Sequence, residues 1–228
     1  MKNKIMRINK LCGISTIILF YAWLFIMENE VMKCIKERRS IRNYLDKDVP
    51  KEIIEEIILA GRYAPSAENR QPWRFIVITN RGFIKELSNK VKEQIRKVLK
   101  KKRKWKKKFK ELEDERLILF LQAVANSKED AVFHNAPVVI FIVAKDEAFN
   151  NESCACCAEN MMLYAWSVGI GSCWIGLAKF LELDEKIMEK LNVPKGYHIS
   201  ACLTFGYPAK IPKAPMRNPS ADIIKWIE

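Results

Sequence analysis

Three guanidiniums and a hydroxyl fall within five residues at Arg38-Arg39-Ser40-Ile41-Arg42. An arginine presents a rigid, permanently charged fork of donors that matches phosphate oxygens two at a time. The serine adds a neutral donor. Ahead of the segment, Val31, Met32, Cys34 and Ile35 form a short amphipathic run. If the chain leaves that helix near Ser40 and runs extended, Arg38, Ser40 and Arg42 fall on one side at period two. That side would hold both ends of a ligand carrying a phosphate and a polar ring. The other reading is a solvated basic helix end, because cations suit helix C-termini. The segment by itself leaves both open.

Other residue types offer less chemistry. The seven cysteines (Cys12, Cys34, Cys154, Cys156, Cys157, Cys173, Cys202) are odd in number and lack the spacing of a disulfide framework. Cys154-Ala-Cys-Cys157 has no second pair, and the two histidines, His134 and His198, lie far off in sequence. Structural zinc needs four donors at defined spacing, so small core residues on a helix are the favoured reading and no metal is expected. A reduced, cytoplasmic setting follows from free cysteines. There is no Walker loop, no His-Glu-x-x-His, no Gly-x-Ser-x-Gly and no repeat. No acid/base pair stands out, so a bound cofactor is expected to carry the reaction while the protein supplies cations and backbone donors.

The net charge of +13 resembles a nucleic-acid footprint, but its distribution is uneven. Residues 85–110 hold 14 Lys or Arg against two Glu, a local charge of +12 that leaves the rest of the chain near neutral. Helix formers are dense from Phe83 to about Arg116. Val91, Ile95, Val98, Leu99, Trp105, Phe109 and Leu112 suggest one thin apolar stripe on a Lys-rich helical excursion over 85–116. Like-charge runs are mostly solvated faces, so nucleic acid is a disfavoured partner, while contact with an anionic membrane stays open. A binding module docking through this segment is the alternative to an enzyme.

The elements that must position the arginines are legible by periodicity. Pro50 to Tyr63 reads as an amphipathic helix, with Pro at an early position. Ala64 to Trp73 is a loop bracketed by prolines. Arg74-Phe-Ile-Val-Ile78 reads as a strand closed by Asn80-Arg-Gly82. Val138 to Val143 is an apolar run suited to a strand buried on both faces. Glu152 to Val168 is a helix apolar nearly all round, hence buried, against the domain or a partner subunit. Gly169-Ile-Gly-Ser-Cys-Trp-Ile-Gly176 allows close backbone approach to a flat ligand. It is no dinucleotide fingerprint, since it follows a helix. A helix over Leu183–Leu191, a strand over Ile199–Phe205 and an extended cationic tail with Lys213 and Arg217 complete the chain.

At the N-terminus, Leu11 to Met27 is an apolar run of 17 residues behind Lys2, Lys4, Arg7 and Lys10. A helix there would span about 26 Å, short of a hydrocarbon core of about 30 Å. No small-residue cleavage site follows. A membrane anchor, an uncleaved signal-like segment and a start codon assigned too far upstream all fit. The expected organisation is an N-terminal segment over 1–26 and one domain over 27–228, cytoplasmic or tethered through residues 11–27.

Taken in order, these motifs resemble the nitroreductase family of FMN-dependent oxidoreductases. Glu37-Arg-Arg-Ser-Ile-Arg42 is similar to its opening signature and Ala64-Pro-Ser-Ala-Glu-Asn-Arg-Gln-Pro-Trp73 to its second. Asn135-Ala-Pro-Val-Val-Ile140, Gly169 to Gly176 and Gly206-Tyr-Pro-Ala209 follow in the family's order. The resemblance implies an α+β fold, a mixed central sheet flanked by helices, and an intertwined homodimer with FMN at the interface. It implies that Arg38, Arg39 and Ser40 hold the phosphate and that Arg42 reaches the pyrimidine edge of the ring. A cation there stabilises negative charge developing near N1 and O2. Pro65, Ser66, Ala67 and Asn69 would cover the ring from the other subunit. Trp174, Ile175 and Gly176 would run along its edge with an N–H toward N5, and Arg217, or else Lys213, would close on the phosphate. The implied reaction takes a hydride from NADH or NADPH to N5 and passes it to a small-molecule acceptor, such as a nitroaromatic or quinone, in the same slot. The Lys-rich excursion and residues 1–26 depart from the family pattern.

Overall fold

The structure, a computed structural model, describes residues 29–105, 113–218, 220 and 222–228. The chain divides into two compact units, Met1–Glu37 and Arg38–Glu228. In the first, helix α1 (Glu30–Glu37) starts at Asn29, whose side chain accepts the Val31 and Met32 N–H groups. The expected anchor over 11–27 and the expected domain boundary lie outside the described residues. No described helix is long and apolar enough to cross a membrane.

In the second unit the elements follow as α2 (Lys51–Arg62), β1 (Arg74–Ile78), α3 (Arg81–Lys100), the short α4 (Lys102–Trp105), α5 (Glu115–Asn126), β2 (Val138–Lys145), α6 (Asn150–Ser167), β3 (Gly171–Trp174), a 3-10 run (Gly176–Leu183), α7 (Glu185–Lys190) and β4 (Tyr197–Gly206). The sheet order is β1-β2-β4-β3, and every named pair is antiparallel. The parallel component of a mixed sheet is one isolated bridge, Ser40 to Ser172.

β2 and β4 take the centre because their side chains are apolar on both faces. Val139, Phe141 and Val143 of β2 join a core with Leu87, Val91 and Ile95 of α3 and Leu121 and Val124 of α5. The alternate residues Ile140, Ile142 and Ala144 join a second core with Ile54 and Ile57 of α2 and Cys154, Cys157, Met161 and Ala165 of α6. Helices therefore cover both faces of one sheet, an α+β arrangement. Cys154 and Cys157 are core residues, as their type suggests. Burial pushes the Cys157 thiol up to about 12, so it stays protonated and packs as a small apolar group.

Three departures from the sequence reading have physical causes. Gly171–Trp174, read from sequence only for its glycines, forms a strand on the free edge of β4. The helix expected over Leu183–Leu191 begins at Glu185, where Asp184 caps the Ile187 N–H, and a 3-10 run precedes it. The Lys-rich excursion is not solvated throughout, since Lys92 is buried and its ammonium donates to the carbonyls of Ser127 and Glu129. Arg96 donates to Ala125 O. These two cations of α3 satisfy carbonyls left open at the C-terminus of α5. Residues 106–112, with Phe109 and Leu112, lie outside the described residues.

Candidate functional site around Arg38 to Arg42

The segment after α1 is extended and is laid along the free edge of β3. Ile41 N–H donates to Ser172 O at 2.9 Å beside the Ser40–Ser172 bridge. Further on, Tyr44 bridges Pro208, Leu45 N–H donates to Tyr207 O at 2.9 Å, and Ala209 N–H donates to Asn43 O at 2.9 Å. Ile41 is fully buried. It fits only because residue 171 is glycine: a Cβ there would lie 2.5 Å from Ile41 Cγ1. Tyr44 acts as a second staple. Its hydroxyl donates to Ile41 O at 2.7 Å and shares a hydrogen bond with the buried Thr204 at 2.9 Å. Burial pushes its phenol far above the ordinary value, so it remains a neutral donor.

With Ile41 turned inward, the alternate residues share a side, as period two requires. Burial raises the pKa of the Cys173 thiol, and Arg42, Ser40 and Arg38 act against that rise. Arg38 is mostly covered and lies 3.6 Å from Glu159 of α6, whereas Arg42 is exposed. Arg39 is directed differently: its guanidinium donates to the Arg38 carbonyl at 2.7 Å.

A neighbour of Arg42 escaped the sequence reading. His134 sits half-buried in the loop before β2, with φ of 59°, followed by Asn135 at 54°. Asp130 sets this conformation, because its carboxylate accepts the N–H groups of Val132, Phe133 and Asn135 and the Ser88 hydroxyl. Burial, then the charge on Arg42, lower the His134 pKa against a smaller opposing pull from Asp130. The local signal was present, since Asp130 precedes Asn135-Ala-Pro by a turn's length, but only the fold brings His134 to Arg42.

At the far end of β3, Trp174 is 40% exposed while Ile175 is buried. The Ile175 N–H is committed to Cys202 O at 2.8 Å, so it is not the free donor that the sequence reading allowed for. Gly176 opens the 3-10 run, where the first N–H groups have no intrahelical acceptor. The chain does not itself need glycine at 176. A Cβ there would meet nothing within 4 Å, and the backbone is not left-handed. A position kept bare next to open space suits the close approach of a flat group from outside, and with the guanidiniums of Arg38 and Arg42 beyond β3 it fits an anionic, planar cofactor.

The loop carrying Pro65, Ser66, Ala67 and Asn69 is elsewhere. Ser66 Oγ accepts the Gln71 N–H at 3.0 Å, Ala67 N–H reaches Ser153 Oγ at 3.4 Å, and Arg70 donates to Ala148 O at 3.0 Å. Positive φ at Glu68, Asn69 and Gln71 marks a tightly wound turn. It leads into β1, the edge strand opposite β3, about 14 Å away at roughly 4.8 Å per strand spacing. No hydrogen bond, ion pair or bridge joins this loop to Arg38, Ser40 or Arg42 among the described residues. Arg217 and Lys213 are exposed on the extended tail.

The fold has known counterparts. A nitroreductase with bound FMN from Bacteroides fragilis superposes with a TM-score of 0.72 at 28% identity, covering 88% of this chain and 100% of that one. A relative from Methanothermobacter thermautotrophicus, whose name of NADH dehydrogenase/NAD(P)H nitroreductase is itself provisional, is 28% identical over 192 residues, 82% of each chain. The iodotyrosine deiodinase of Nematostella vectensis is 25% identical over 211 residues, 86% of this chain and 74% of that protein. Residues 35–207 match the model of the Nitroreductase family. That span takes in the arginine segment, the glycine-flanked edge strand that carries it and the Tyr207 turn that pins its end, and by it this chain belongs to the nitroreductase family.

Proposed function

We propose that this protein is an FMN-dependent oxidoreductase that moves a hydride from NADH or NADPH to an electron-poor small-molecule acceptor, such as a nitroaromatic or quinone, and that it works as a homodimer. The observation that carries the reading is a segment whose backbone is fixed to the sheet at both ends, with Arg38, Ser40 and Arg42 at period two about the buried Ile41.

When bound, FMN supplies two-electron chemistry at its N5, which removes the need for a catalytic acid or base from the protein. The chain's own residues bind and orient. Arg38 and Ser40 are the phosphate donors, with Arg39 alongside. Their main chain is immobilised by Ser172, so little order has to be imposed on binding. Arg42 is a permanent cation for the electron-rich edge of the ring, where it favours the form that carries negative charge. Because Ile175 N–H is already committed, the donor to N5 from this run is Gly176 N–H. Trp174 flanks it as an exposed apolar plate. Pro65, Ser66, Ala67 and Asn69 cover the ring from a second copy of the chain, and Arg217 of the tail closes on the phosphate.

The purified protein should be yellow and should bleach on addition of NADH or NADPH under nitrogen. Charge-assisted hydrogen bonds contribute about 1.5–3 kcal/mol each, so Arg38→Ala with Arg42→Ala should weaken FMN retention by about 100-fold or more. Colourless protein that ignores added FMN, or undiminished flavin in the double variant, would overturn the proposal.

A further inference from the structure

The cations of the Lys-rich helix fall into two groups. Lys92 and Arg96 face inward and cap α5. Lys90 and Lys97 are paired with Glu93. Beyond them, Lys100, Lys101 and Lys104 are exposed, or nearly so, and make no ion pair among the described residues. The contacts from Lys92 to Ser127 and from Arg96 to Ala125 set α3 and α5 antiparallel, so the C-terminal end of α3 lies beside the N-terminal half of α5. There α5 exposes Leu119 and Phe120, at 66% and 51%. Glu113, Asp114 and Glu115 lie at the same end, but residues 100–104 carry five cations against them and Arg116 a sixth. Exposed lysines and two exposed large apolar side chains thus lie toward the same end of the helix pair.

We infer that this end of the α3–α5 pair docks the protein on an anionic lipid bilayer. Lysines near such a surface are drawn to the headgroups, and apolar side chains beside them enter the acyl boundary. A nucleic acid would engage the lysines through its phosphates and leave Leu119 and Phe120 without apolar contact. A bilayer satisfies both. The lysines are on a different element from the proposed FMN donors, so docking and turnover are separable.

The test is co-sedimentation of the full-length protein with vesicles of phosphatidylcholine alone, or with about 30% phosphatidylglycerol, at low salt and at about 1 M salt, where screening is nearly complete. Any contribution of the apolar run at 11–27 is present in every chain compared. Wild type should bind anionic vesicles well above neutral ones, and the excess should vanish in high salt. Lys100→Glu, Lys101→Glu and Lys104→Glu together should lower the anionic excess by about tenfold or more, and the milder Lys→Gln triple variant should do so in part. Leu119→Ser with Phe120→Ser should weaken the binding that survives intermediate salt. Flavin content and melting temperature establish that each variant is folded, and they read the FMN proposal independently. Equal binding of wild type and both lysine variants, equal binding to neutral vesicles, tighter binding to duplex DNA than to anionic vesicles, or a loss of dimer in the Leu119/Phe120 variant without loss of lipid binding would overturn the inference.

Discussion

His134 shows how one residue can couple the site to pH. Its backbone is held left-handed by the Asp130 carboxylate, and its ring lies within reach of the Arg42 charge. Burial and the guanidinium both disfavour the charged imidazole, so the folded pKa lies below the ordinary 6.5. In the unfolded chain the ring takes up a proton as pH falls through about 6.5, while the folded chain does so only at a lower pH. The stability tied to the neutral ring is therefore complete above that value and is lost as pH drops below it. Melting temperatures of wild type and His134→Asn between about pH 7 and pH 5 should diverge in that direction, with the wild type falling more steeply. Parallel curves would remove His134 from the account. The arginines belong to the same scale: type and spacing set Arg38 and Arg42 two residues either side of Ser40, while their phosphate and ring roles remain part of the proposal, and the Arg39 guanidinium donates to the Arg38 carbonyl.

Two elements carry contacts that their sequences do not announce. β3 lets the arginine segment lie flat because Gly171 has no side chain to strike Ile41 and Pro208. Gly171→Ala should cost about 1–3 kcal/mol by overpacking, read as a shift in urea midpoint, and should lower flavin retention, since the same displacement moves Ser40 and Arg42. Helix α3 is the other case. Lys92→Met leaves the carbonyls of Ser127 and Glu129 without their shared donor and should destabilise by about 2 kcal/mol. Lys100→Met, on the exposed end, should stay within about 0.5 kcal/mol. Equal effects of the two substitutions would show that the buried ammonium has no structural part.

At the scale of the molecule, the proposed FMN site draws on two chains. The Ser66–Asn69 turn is wound onto the start of α6 and leads into β1, while the arginines lie along β3 at the opposite sheet edge. In the proposed dimer each site takes its arginines from one chain and its covering turn from the other. Mixing provides a direct check. A variant with Arg38→Ala and Arg42→Ala should lack flavin, and so should one with Ser66 and Asn69 replaced by bulky residues. Co-refolded heterodimers should recover one FMN per dimer, because one of the two sites then has both halves intact. No recovery in heterodimers separated by tag would rule out a site shared in this way.

The order of helices, strands and loops was written in local periodicity: the isoleucines of α2, the unbroken apolar run of β2 and the alternation of Arg38, Ser40 and Arg42 each depend on neighbours a few residues away. The family, too, follows from motifs that are contiguous in the chain. What periodicity cannot encode is which distant groups meet. Gly171 under Ile41, Tyr44 on Thr204, His134 beside Arg42 and Lys92 beneath the end of α5 all join residues separated by dozens of positions. Those pairings are chosen by the burial of two apolar faces on one sheet, and burial is a property of the folded chain as a whole.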